Sequence, residues 1–346
     1  MNNQKGKFIE FFGGNSGTSI RFVTSLAALR NGDTEIKGDE RMRKRPMSEL
    51  VEALRKQGIQ VKDTKGSLPM IVTGGKLKGG RIEISGKQSS QFVSSLLVAL
   101  PYAQSKSEVI VSNLQSKPYV DITIDLMRAF GVKVGENNGI YRVPKGAYRY
   151  ANYEVEGDFS SASYFLAAAA ITGSSLEILG LNPYSKQGDK ILLEILEEMG
   201  CTIEKVSAGI KISGKAVNPV SLDMADYPDI VPTVASIAAT ISAETTIKNI
   251  AHLRHKESDR IDSMEKELTK MGAEIKSTAD SLTIRGGPLH GAEIDTHNDH
   301  RIAMSMAIAA LVAKGDTIIK DAQVVEKSYK NFWKDLKKIG VQLKIV

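Results

Sequence analysis

The chain has 346 residues, of which 42% are hydrophobic and 25% are charged. This composition is typical of folded globular proteins, and the length predicts two domains. The formal net charge of +6 favours anionic partners, but only 6% of the residues are aromatic, and no basic strip is interleaved with aromatics as in nucleic-acid-binding modules. A single cysteine, Cys201, excludes an internal disulfide. We expect a cytoplasmic protein, because the sequence has neither a signal-peptide pattern nor an apolar run long enough to span a membrane.

An amphipathic segment, a glycine and a short strand-like run recur together five times. In chain order the segments are LRKQGIQV, MRAFGVKV, LEEMGCTI, LTKMGAEI and LKKIGVQL. The spacings are 73, 69, 72 and 68 residues between the glycines Gly58, Gly131, Gly200, Gly272 and Gly340. Glycine favours the left-handed conformation just past a helix C-terminus, so a helix is predicted to end at each position. The regular spacing predicts five structural repeats.

The apolar residues of the amphipathic segments have helical spacing. In the fourth repeat, one face would be lined by Ile261, Met264, Leu268 and Met271. In the first repeat, Pro46 is predicted to lie in the first turn of its helix, where proline is tolerated.

A second kind of helix precedes each amphipathic one. In chain order these segments are TSIRFVTSLAAL, SSQFVSSLLVAL, SSASYFLAAAAIT, DIVPTVASIAATISA and RIAMSMAIAALVA. They are rich in small residues and nearly free of charge, which predicts buried helices. Strand-like runs lie between the two kinds of helix, among them VIVSNL, SLEILGL, TTIKNI and DTIIKDA. Each repeat therefore predicts an order close to βαβαββ, with residues 1–155 and 156–346 as the two domains.

Polar residues recur at matching positions of the repeats. The predicted starts of the buried helices carry Gly17–Thr18, Ser89–Gln91, Ser160–Ser161, Asp229 and His300–Arg301. The predicted starts of the amphipathic helices are spaced by 71, 69, 71 and 71 residues and carry Arg45, Ser116, Ser185, Lys256 and Lys327. A helix start has free N–H groups and a partial positive charge, so several starts facing one cleft would bind anions. Helix capping explains a lone Ser or Asp but not the phased Lys and Arg residues.

Seven segments of the sequence resemble motifs of the 5-enolpyruvylshikimate-3-phosphate synthases. They are GNSGTSIRF (14–22), DERMRKRP (39–46), SSQF (89–92), SKPYVDIT (116–123), EGDFSSASYFLAAAA (156–170), KESDR (256–260) and NDHRIAM (298–304). They are distributed over essentially the whole chain. The combination of KESDR with NDHR at this spacing is highly specific to that family.

The resemblance implies an α/β (α+β) fold of two domains built from βαβαββ repeats, of which the family has six. This chain shows five, two in residues 1–155 and three in residues 156–346. The family's first repeat carries a Lys-Ser-x-x-x-Arg motif that contacts both substrates, and no such motif precedes Asn15. We therefore expect a chain that lacks its first unit and catalyses poorly alone. It is a fragment, has a misassigned start, comes from a split gene or is a degenerate paralogue, and a separate N-terminal fragment is a candidate partner.

The resemblance also implies a reaction and its ligands. The family transfers the enolpyruvyl group of phosphoenolpyruvate to the 5-hydroxyl of shikimate 3-phosphate and releases phosphate, without a metal or an organic cofactor. Shikimate 3-phosphate would be bound by Ser89, Ser90, Gln91, Ser116, Tyr119, Asp229 and Lys256. Phosphoenolpyruvate would be bound by Gly17, Arg45, Gln91, Arg260, Arg301 and Lys327. The surrounding loops would be shaped by Asn15, Thr18, Arg21 and His300. Glyphosate is expected to inhibit.

The residue types in these sets agree with this chemistry. Two anionic substrates must meet without repulsion, and Arg binds carboxylate and phosphate through two parallel hydrogen bonds. Asp229 is the candidate base for the attacking hydroxyl, and Glu257 is the candidate acid for the methylene carbon of phosphoenolpyruvate. His252 occupies a position where many family members have Asn, so the contact made there is an open question.

Three other functions were compared with this one. A sibling family acts on UDP-N-acetylglucosamine and typically uses a loop cysteine, but Cys201 falls in a predicted strand. The pairs His297/His300 and His252/His255 have metal-ligand spacing without further clustered ligands. The remaining alternative is an inactive or partial homologue that binds shikimate 3-phosphate or a complementing chain without turnover. Phosphate release with both substrates separates it from the enzyme.

Overall fold

The five repeat glycines have the conformation that the sequence predicts. The computed structural model describes residues 7–344, and in it these glycines have φ angles of 86°, 90°, 104°, 98° and 96°. Side chains with a Cβ are disfavoured at such angles, so glycine lets the chain turn directly from a helix into the next strand.

The chain divides into two compact units, Met1–Glu154 and Val155–Val346. The helices of the first unit are α1 (Gly17–Ala27), α2 (Glu40–Lys44), α3 (Ser48–Lys56), α4 (Ser90–Ala99) and α5 (Lys117–Ala129). Its strands are β1 (Ile9–Phe12), β2 (Gly32–Lys37), β3 (Gln60–Thr64), β4 (Ser67–Gly74), β5 (Gly80–Ser85), β6 (Ser107–Ser112), β7 (Gly135–Asn137) and β8 (Ile140–Val143). A short 3-10 turn follows α4 at Leu100–Tyr102.

The two sheets of the first unit have the same topology. Their strand orders are β1-β2-β4-β3 and β5-β6-β8-β7. In each sheet the first two strands are parallel and the other pairs are antiparallel. Parallel neighbours need a crossover connection, which α1 and α4 supply. These helices pack on each other, and the hydroxyls of Ser25 and Ser95 are 2.9 Å apart at their contact.

The second unit contains three further repeats. Its helices are α6 (Phe159–Thr172), α7 (Leu192–Glu198), α8 (Val231–Ala238), α9 (Arg260–Lys270), α10 (His300–Ala309) and α11 (Phe332–Lys338). Its strands are β9 (Leu176–Leu179), β10 (Thr202–Val206), β11 (Gly209–Ser213), β12 (Ser221–Asp223), β13 (Glu244–Lys248), β14 (Glu274–Ser277), β15 (Leu282–Arg285), β16 (Glu293–Ile294) and β17 (Ile318–Ile319). The 3-10 turns are Gly188–Ile191, Ala251–His255, Ala310–Val312 and Ala322–Lys327.

The βαβαββ order is complete in only three of the five repeats as described. The sheet β12-β13-β15-β14 matches the order in the first unit, whereas the other sheets are β10-β11-β9 and β16-β17. Residues 151–158 form no strand before α6; their Val155 is 83% exposed, and Gly157 N–H bonds to Gly180 O. The described residues after α11 form no strand either. The order is therefore close to βαβαββ, as predicted, but among the described residues the third repeat has no first strand and the fifth has no strands after its last helix.

The charge-poor helices of the second unit pack against one another. Helices α6, α8 and α10 make mutual contacts, and every residue of α8 and α10 is buried. Their hydroxyls bond within these contacts: Ser163 to Thr233 at 3.1 Å, and Ser236 to the carbonyl of Ser305 at 2.9 Å. Small side chains let the helix backbones approach closely, and the hydrogen bonds offset the cost of burying hydroxyl groups.

The amphipathic helices begin later than the sequence analysis predicts. Helix α3 begins at Ser48, so Pro46 precedes it, and Arg45 instead ends α2. Lys256 follows one 3-10 turn and Lys327 ends another, whereas α9 and α11 begin at Arg260 and Phe332. Among the five phased residues only Ser116 directly precedes its α-helix. The interposed turns explain the error, because sequence spacing does not distinguish a 3-10 turn from the first α-helical turn.

Candidate active site

Arg260 lies at the centre of a charged cluster in the second unit. It is the first residue of α9, which Asp259 caps, and it is only 1% exposed. Its Nε donates to Asp299 Oδ2 at 2.9 Å, its Nη1 to Asp229 Oδ1 at 3.0 Å and its Nη2 to Glu257 Oε2 at 2.9 Å. Burial alone would lower the pKa of Arg260, but these three carboxylates outweigh it and raise the pKa. We call Arg260, Asp229, Glu257, Asp299 and Arg301 the Arg260 cluster.

Arg301 joins the starts of three buried helices. This second residue of α10 donates through Nη1 to Ser160 Oγ at 2.7 Å and to the carbonyl of Asp229 at 3.0 Å. Its Nη2 donates to Asp229 Oδ2 at 2.8 Å. Burial would raise the pKa of the Asp229 carboxyl, but Arg301 and Arg260, together with Lys256, hold it well below its usual value. Asp229 is therefore ionised and fixed through both oxygens.

Glu257 lies between two cations. Its Oε2 accepts the hydrogen bond from Arg260, and its Oε1 accepts one from Lys327 Nζ at 3.0 Å. Both carboxylates predicted to transfer protons are thus held by the same guanidinium. Lys327 comes from the turn before α11, so residues of separate repeats meet at this carboxylate.

Two buried histidines border the cluster in neutral form. Burial lowers the pKa of His252 to about 3, reinforced by Lys256. Burial, with the nearby charge of Arg301, lowers the pKa of His300 to about 4. His252 is 8% exposed, and among the described residues neither of its ring nitrogens has a hydrogen-bond partner. It therefore has one donor and one acceptor available beside Asp229 and Lys256.

The first unit contains a separate polar cluster where α1 and α4 begin. Arg21 Nη1 donates to Ser89 Oγ at 3.0 Å and to Gln91 Oε1 at 2.6 Å, and Gln91 Nε2 donates to Thr18 Oγ1 at 2.7 Å. The Arg21 guanidinium lies 4.9 Å from the centre of the Phe92 ring. These contacts fix the side chains of Ser89 and Gln91, which are predicted to bind substrate.

Arg45 packs against Gly17 in this unit. A Cβ added to Gly17 would lie 2.8 Å from Arg45 Nη1 and 2.9 Å from Nη2, so only glycine allows this approach without displacement. Asn15 lies two residues earlier in the loop between β1 and α1. The structure thus brings together the predicted phosphoenolpyruvate residues Gly17 and Arg45.

Three further residues that are predicted to bind shikimate 3-phosphate lie at the starts of α4 and α5 in the first unit. Ser90 is buried in the first turn of α4. Ser116 is 5% exposed and has a φ of 56°, while Tyr119 N–H bonds to the Ser116 carbonyl at 3.2 Å. Gln115, directly before Ser116, bonds through its N–H to the Gly86 carbonyl, in the loop that leads into α4.

Several residues that hold the Arg260 cluster together were not predicted from the sequence. Asp299 is fully buried, caps α10, and accepts bonds from Arg260 and from Ser258 Oγ at 3.1 Å. Ser160 and Tyr164 on α6 both contact Arg301. The NDHR motif contains Asp299, and an Asp before a buried helix is the signal for such a cap. Residues 7–344 contain no group of three or more His, Cys, Asp or Glu placed to hold a metal ion.

Together these features define a class of protein. The fold consists of βαβαββ repeats in two units, and each unit places Arg and polar side chains at the starts of buried helices. Guanidinium groups bind phosphate and carboxylate groups, and paired carboxylates can transfer protons. The class is that of transferases acting on anionic substrates.

Comparison with known proteins identifies the family within this class. The family model for EPSP synthase (3-phosphoshikimate 1-carboxyvinyltransferase) matches residues 3–336. A 3-phosphoshikimate 1-carboxyvinyltransferase of Methanosarcina mazei is 43% identical over 341 residues, which are 95% of this chain and 79% of the relative. The one from Methanocaldococcus jannaschii is 40% identical, over 96% of this chain and 79% of the relative. The solved EPSP synthase of Acinetobacter baumannii has a TM-score of 0.78 and 31% identity, covering 96% of this chain and 79% of that one.

The chain therefore belongs to the EPSP synthase family. It is an enolpyruvyl transferase of the shikimate pathway, and the fold class and reaction implied by the sequence motifs are confirmed. No helix in the described part of the chain is long and apolar enough to cross a membrane.

The buried histidines predict how stability depends on pH. His252 and His300 stay neutral in the folded chain down to pH values of about 3 and 4, whereas in the unfolded chain each protonates below about pH 6.5. The unfolded state then binds more protons, so stability is highest above pH 6.5 and declines as the pH falls towards 4. At pH 5 each histidine should have lowered the free energy of unfolding by about 2 kcal/mol.

Urea unfolding at pH 7 and pH 5 tests this prediction. His252→Asn keeps a polar side chain but removes the titration, so the variant should lose less stability between the two pH values than the parent chain. The pKa values of Asp229 and Asp299 are lowered in the folded chain, so these groups change the stability only below about pH 4. They therefore do not affect the comparison between pH 7 and pH 5. An identical loss in both proteins would show that His252 is not held neutral.

Proposed function

We propose that the two polar clusters divide the work of enolpyruvyl transfer. The cluster of the first unit, with Ser89, Ser90, Gln91, Ser116 and Tyr119, binds shikimate 3-phosphate. Arg301 and Lys327 bind phosphoenolpyruvate, and the sequence motifs assign Arg45 and Gly17 to the same ligand. Lys256 provides a further cation for shikimate 3-phosphate. Arg260 already bonds to three carboxylates. We therefore assign it the role of positioning Asp229 and Glu257 rather than of binding a substrate directly.

Asp229 and Glu257 transfer the protons in this proposal. The 5-hydroxyl of shikimate 3-phosphate gives its proton to Asp229 as its oxygen bonds to C2 of phosphoenolpyruvate. Glu257 gives a proton to the methylene carbon, and a tetrahedral adduct forms. Glu257 then takes a proton back from the new methyl group, which restores the double bond, and Asp229 gives its proton to the phosphate as the C2–O bond to phosphate breaks. The observation that supports this proposal is that one buried guanidinium fixes both carboxylates.

Asp229 can act as a base only if substrate binding raises its pKa. A carboxylate held ionised by two arginines is a weak base, and a general base works best with a pKa near the working pH. Phosphoenolpyruvate bound at Arg301 would offset the positive charge and raise the basicity of Asp229. Likewise, Glu257 can donate a proton only when a ligand takes over one of its two cations.

Removing either carboxyl group should reduce turnover far more than substrate affinity. General acid–base catalysis contributes roughly 10²–10⁴-fold, so Asp229→Asn and Glu257→Gln should each lower kcat by about that factor. Phosphate release with both substrates gives kcat and KM. Asp223→Asn, an exposed carboxylate on β12, is the control and should keep the parent rate.

Two outcomes would contradict the proposal. Unchanged turnover in either variant would remove that residue from the mechanism. Binding of shikimate 3-phosphate by calorimetry, without phosphate release even after the N-terminal repeat of a full-length relative is added, would favour the alternative of an inactive homologue.

Gly17→Ala should weaken phosphoenolpyruvate and glyphosate binding. The added Cβ would collide with the Arg45 guanidinium. The Arg45 side chain is flexible and can avoid this collision, but it then leaves the position in which it is proposed to bind phosphoenolpyruvate. We expect KM for phosphoenolpyruvate to rise about tenfold, on the scale of one hydrogen bond to a charged group, with a larger rise in the glyphosate inhibition constant. The KM for shikimate 3-phosphate serves as the internal control. Equal inhibition constants for both forms would refute the assignment.

An N-terminal fragment is the proposed partner of the first unit. Helix α1 packs on α4, the other charge-poor helix of its unit. Leu26 on α1 is 44% exposed, and most of β1 is exposed as well, with Phe12 at 68%. In the second unit, three such helices cover one another. A fragment that supplies a third charge-poor helix would cover the exposed side of α1.

The cellular location of the chain is a separate matter, and a cytoplasmic location remains a prediction.

Complementation with the N-terminal repeat of a full-length relative tests this partner. We expect binding by calorimetry and a rise in kcat on mixing. Leu26→Glu should abolish both effects because it places a charge in the apolar contact. Leu179→Glu in the second unit, also on an exposed leucine, should not. Self-association of the chain with no response to the fragment would identify a second copy as the occupant instead.

A further inference from the structure

Glu267 is a buried carboxylate outside the Arg260 cluster. It lies on α9, seven residues after Arg260, and is 1% exposed. Its Oε1 accepts a hydrogen bond from His297 Nε2 at 2.8 Å. Its Oε2 accepts one from the backbone N–H of Asp295 at 3.0 Å and one from Lys270 Nζ at 2.7 Å. Glu267 thus contacts a loop as well as a neighbour on its own helix.

That loop connects β16 to α10 and has an unusual backbone. His297 and Asn298 both have left-handed conformations, with φ angles of 50° and 53°. Such angles are uncommon for residues other than glycine, although Asn and His adopt them more readily than most residues, and two in succession need support from their surroundings. Here Asp295 Oδ1 accepts from His297 N–H at 2.7 Å, and the Thr296 carbonyl accepts from Asp299 N–H at 2.8 Å.

The loop leads directly into the Arg260 cluster. Asp299 follows Asn298, caps α10 and bonds to Arg260, and Arg301 comes two residues later. Helix α9 therefore holds the segment 295–301 at two points, through Glu267 at its start and through Arg260 at Asp299. Residues seven apart lie on the same side of a helix, which places both contacts along one face of α9.

We propose that Glu267 is a positioning residue for enolpyruvyl transfer. By holding His297 and the Asp295 amide, it fixes the left-handed turn that sets where Asp299 and Arg301 stand. Without it the turn relaxes towards commoner backbone angles, and Arg301 meets phosphoenolpyruvate in a displaced position. This inference depends on the proposed role of Arg301 and extends it to a residue that touches no reacting atom.

The affected step should be phosphoenolpyruvate binding. Glu267→Gln keeps the size but removes the charge, and His297→Phe keeps a ring but removes the donor nitrogen. Each should raise KM for phosphoenolpyruvate about tenfold, the effect of one lost hydrogen bond to a charged group, and leave KM for shikimate 3-phosphate within about twofold. His297→Gln, which restores an N–H donor, should recover most of the affinity. Lys270→Gln removes the other side-chain partner of Glu267, together with a 3.4 Å bond to the Glu293 carbonyl in β16, but no bond to residues 295–299, and should keep KM for phosphoenolpyruvate within about twofold of the parent chain.

The measurement is steady-state phosphate release, with both KM values and kcat for each variant and for Arg301→Gln. A merely structural role for Glu267 would lower the amount of active protein, and therefore kcat, with both KM values unchanged. That result, or an unchanged KM in His297→Phe, would overturn the inference, and the histidine variants decide it even if Glu267→Gln fails to fold. If Arg301→Gln also leaves KM for phosphoenolpyruvate unchanged, the fault lies in the proposed role of Arg301.

Discussion

The second unit depends on one buried guanidinium. Arg260 is almost inaccessible to water, and moving a cation into such an environment costs several kcal/mol unless it is paired. Here Asp299, Asp229 and Glu257 each accept a hydrogen bond from a different nitrogen, so all three guanidinium nitrogens are paired with a carboxylate. The arrangement gives more than stability. Because the guanidinium is planar and rigid, it fixes the relative positions of the three carboxylates, two of which are the proposed catalytic groups.

The packing of the charge-poor helices explains why these side chains converge. Helices α6, α8 and α10 contact one another along faces of small residues, so their starts also lie close together. Ser160, Asp229 and Arg301 stand at or just before those starts and bond to one another there. A large side chain inside these faces would separate the helices and pull the polar residues apart. The alanine-rich sequence of the helices is therefore a requirement of the site as much as of the core.

How much of this arrangement the sequence predicts depends on how far apart along the chain the interacting residues are. The repeat glycines and the buried helices were predicted because the signal that ends a helix and the near absence of charge along a helix are both visible in short stretches of sequence. The positions of Lys256 and Lys327 were misassigned because a 3-10 turn before a helix leaves the spacing unchanged. The bonds of Arg260 to Asp299 and of Glu267 to His297 span 39 and 30 residues, and no local pattern predicts which distant partner a buried charge will find. The NDHR motif contains Asp299, but only the fold gives this residue a role.

The balance of charge in the Arg260 cluster has a consequence for catalysis. The same arginines that keep Asp229 ionised also disfavour protonation of His300, while Lys256 acts likewise on His252, so the cationic surroundings repel added protons. A site in this state attracts anions strongly and removes protons poorly. In the proposed mechanism, the charge of bound phosphoenolpyruvate compensates Arg301, and the carboxylates no longer need to do so. Substrate binding would then convert Asp229 from a structural counter-ion into a base, which couples the start of proton transfer to the arrival of phosphoenolpyruvate.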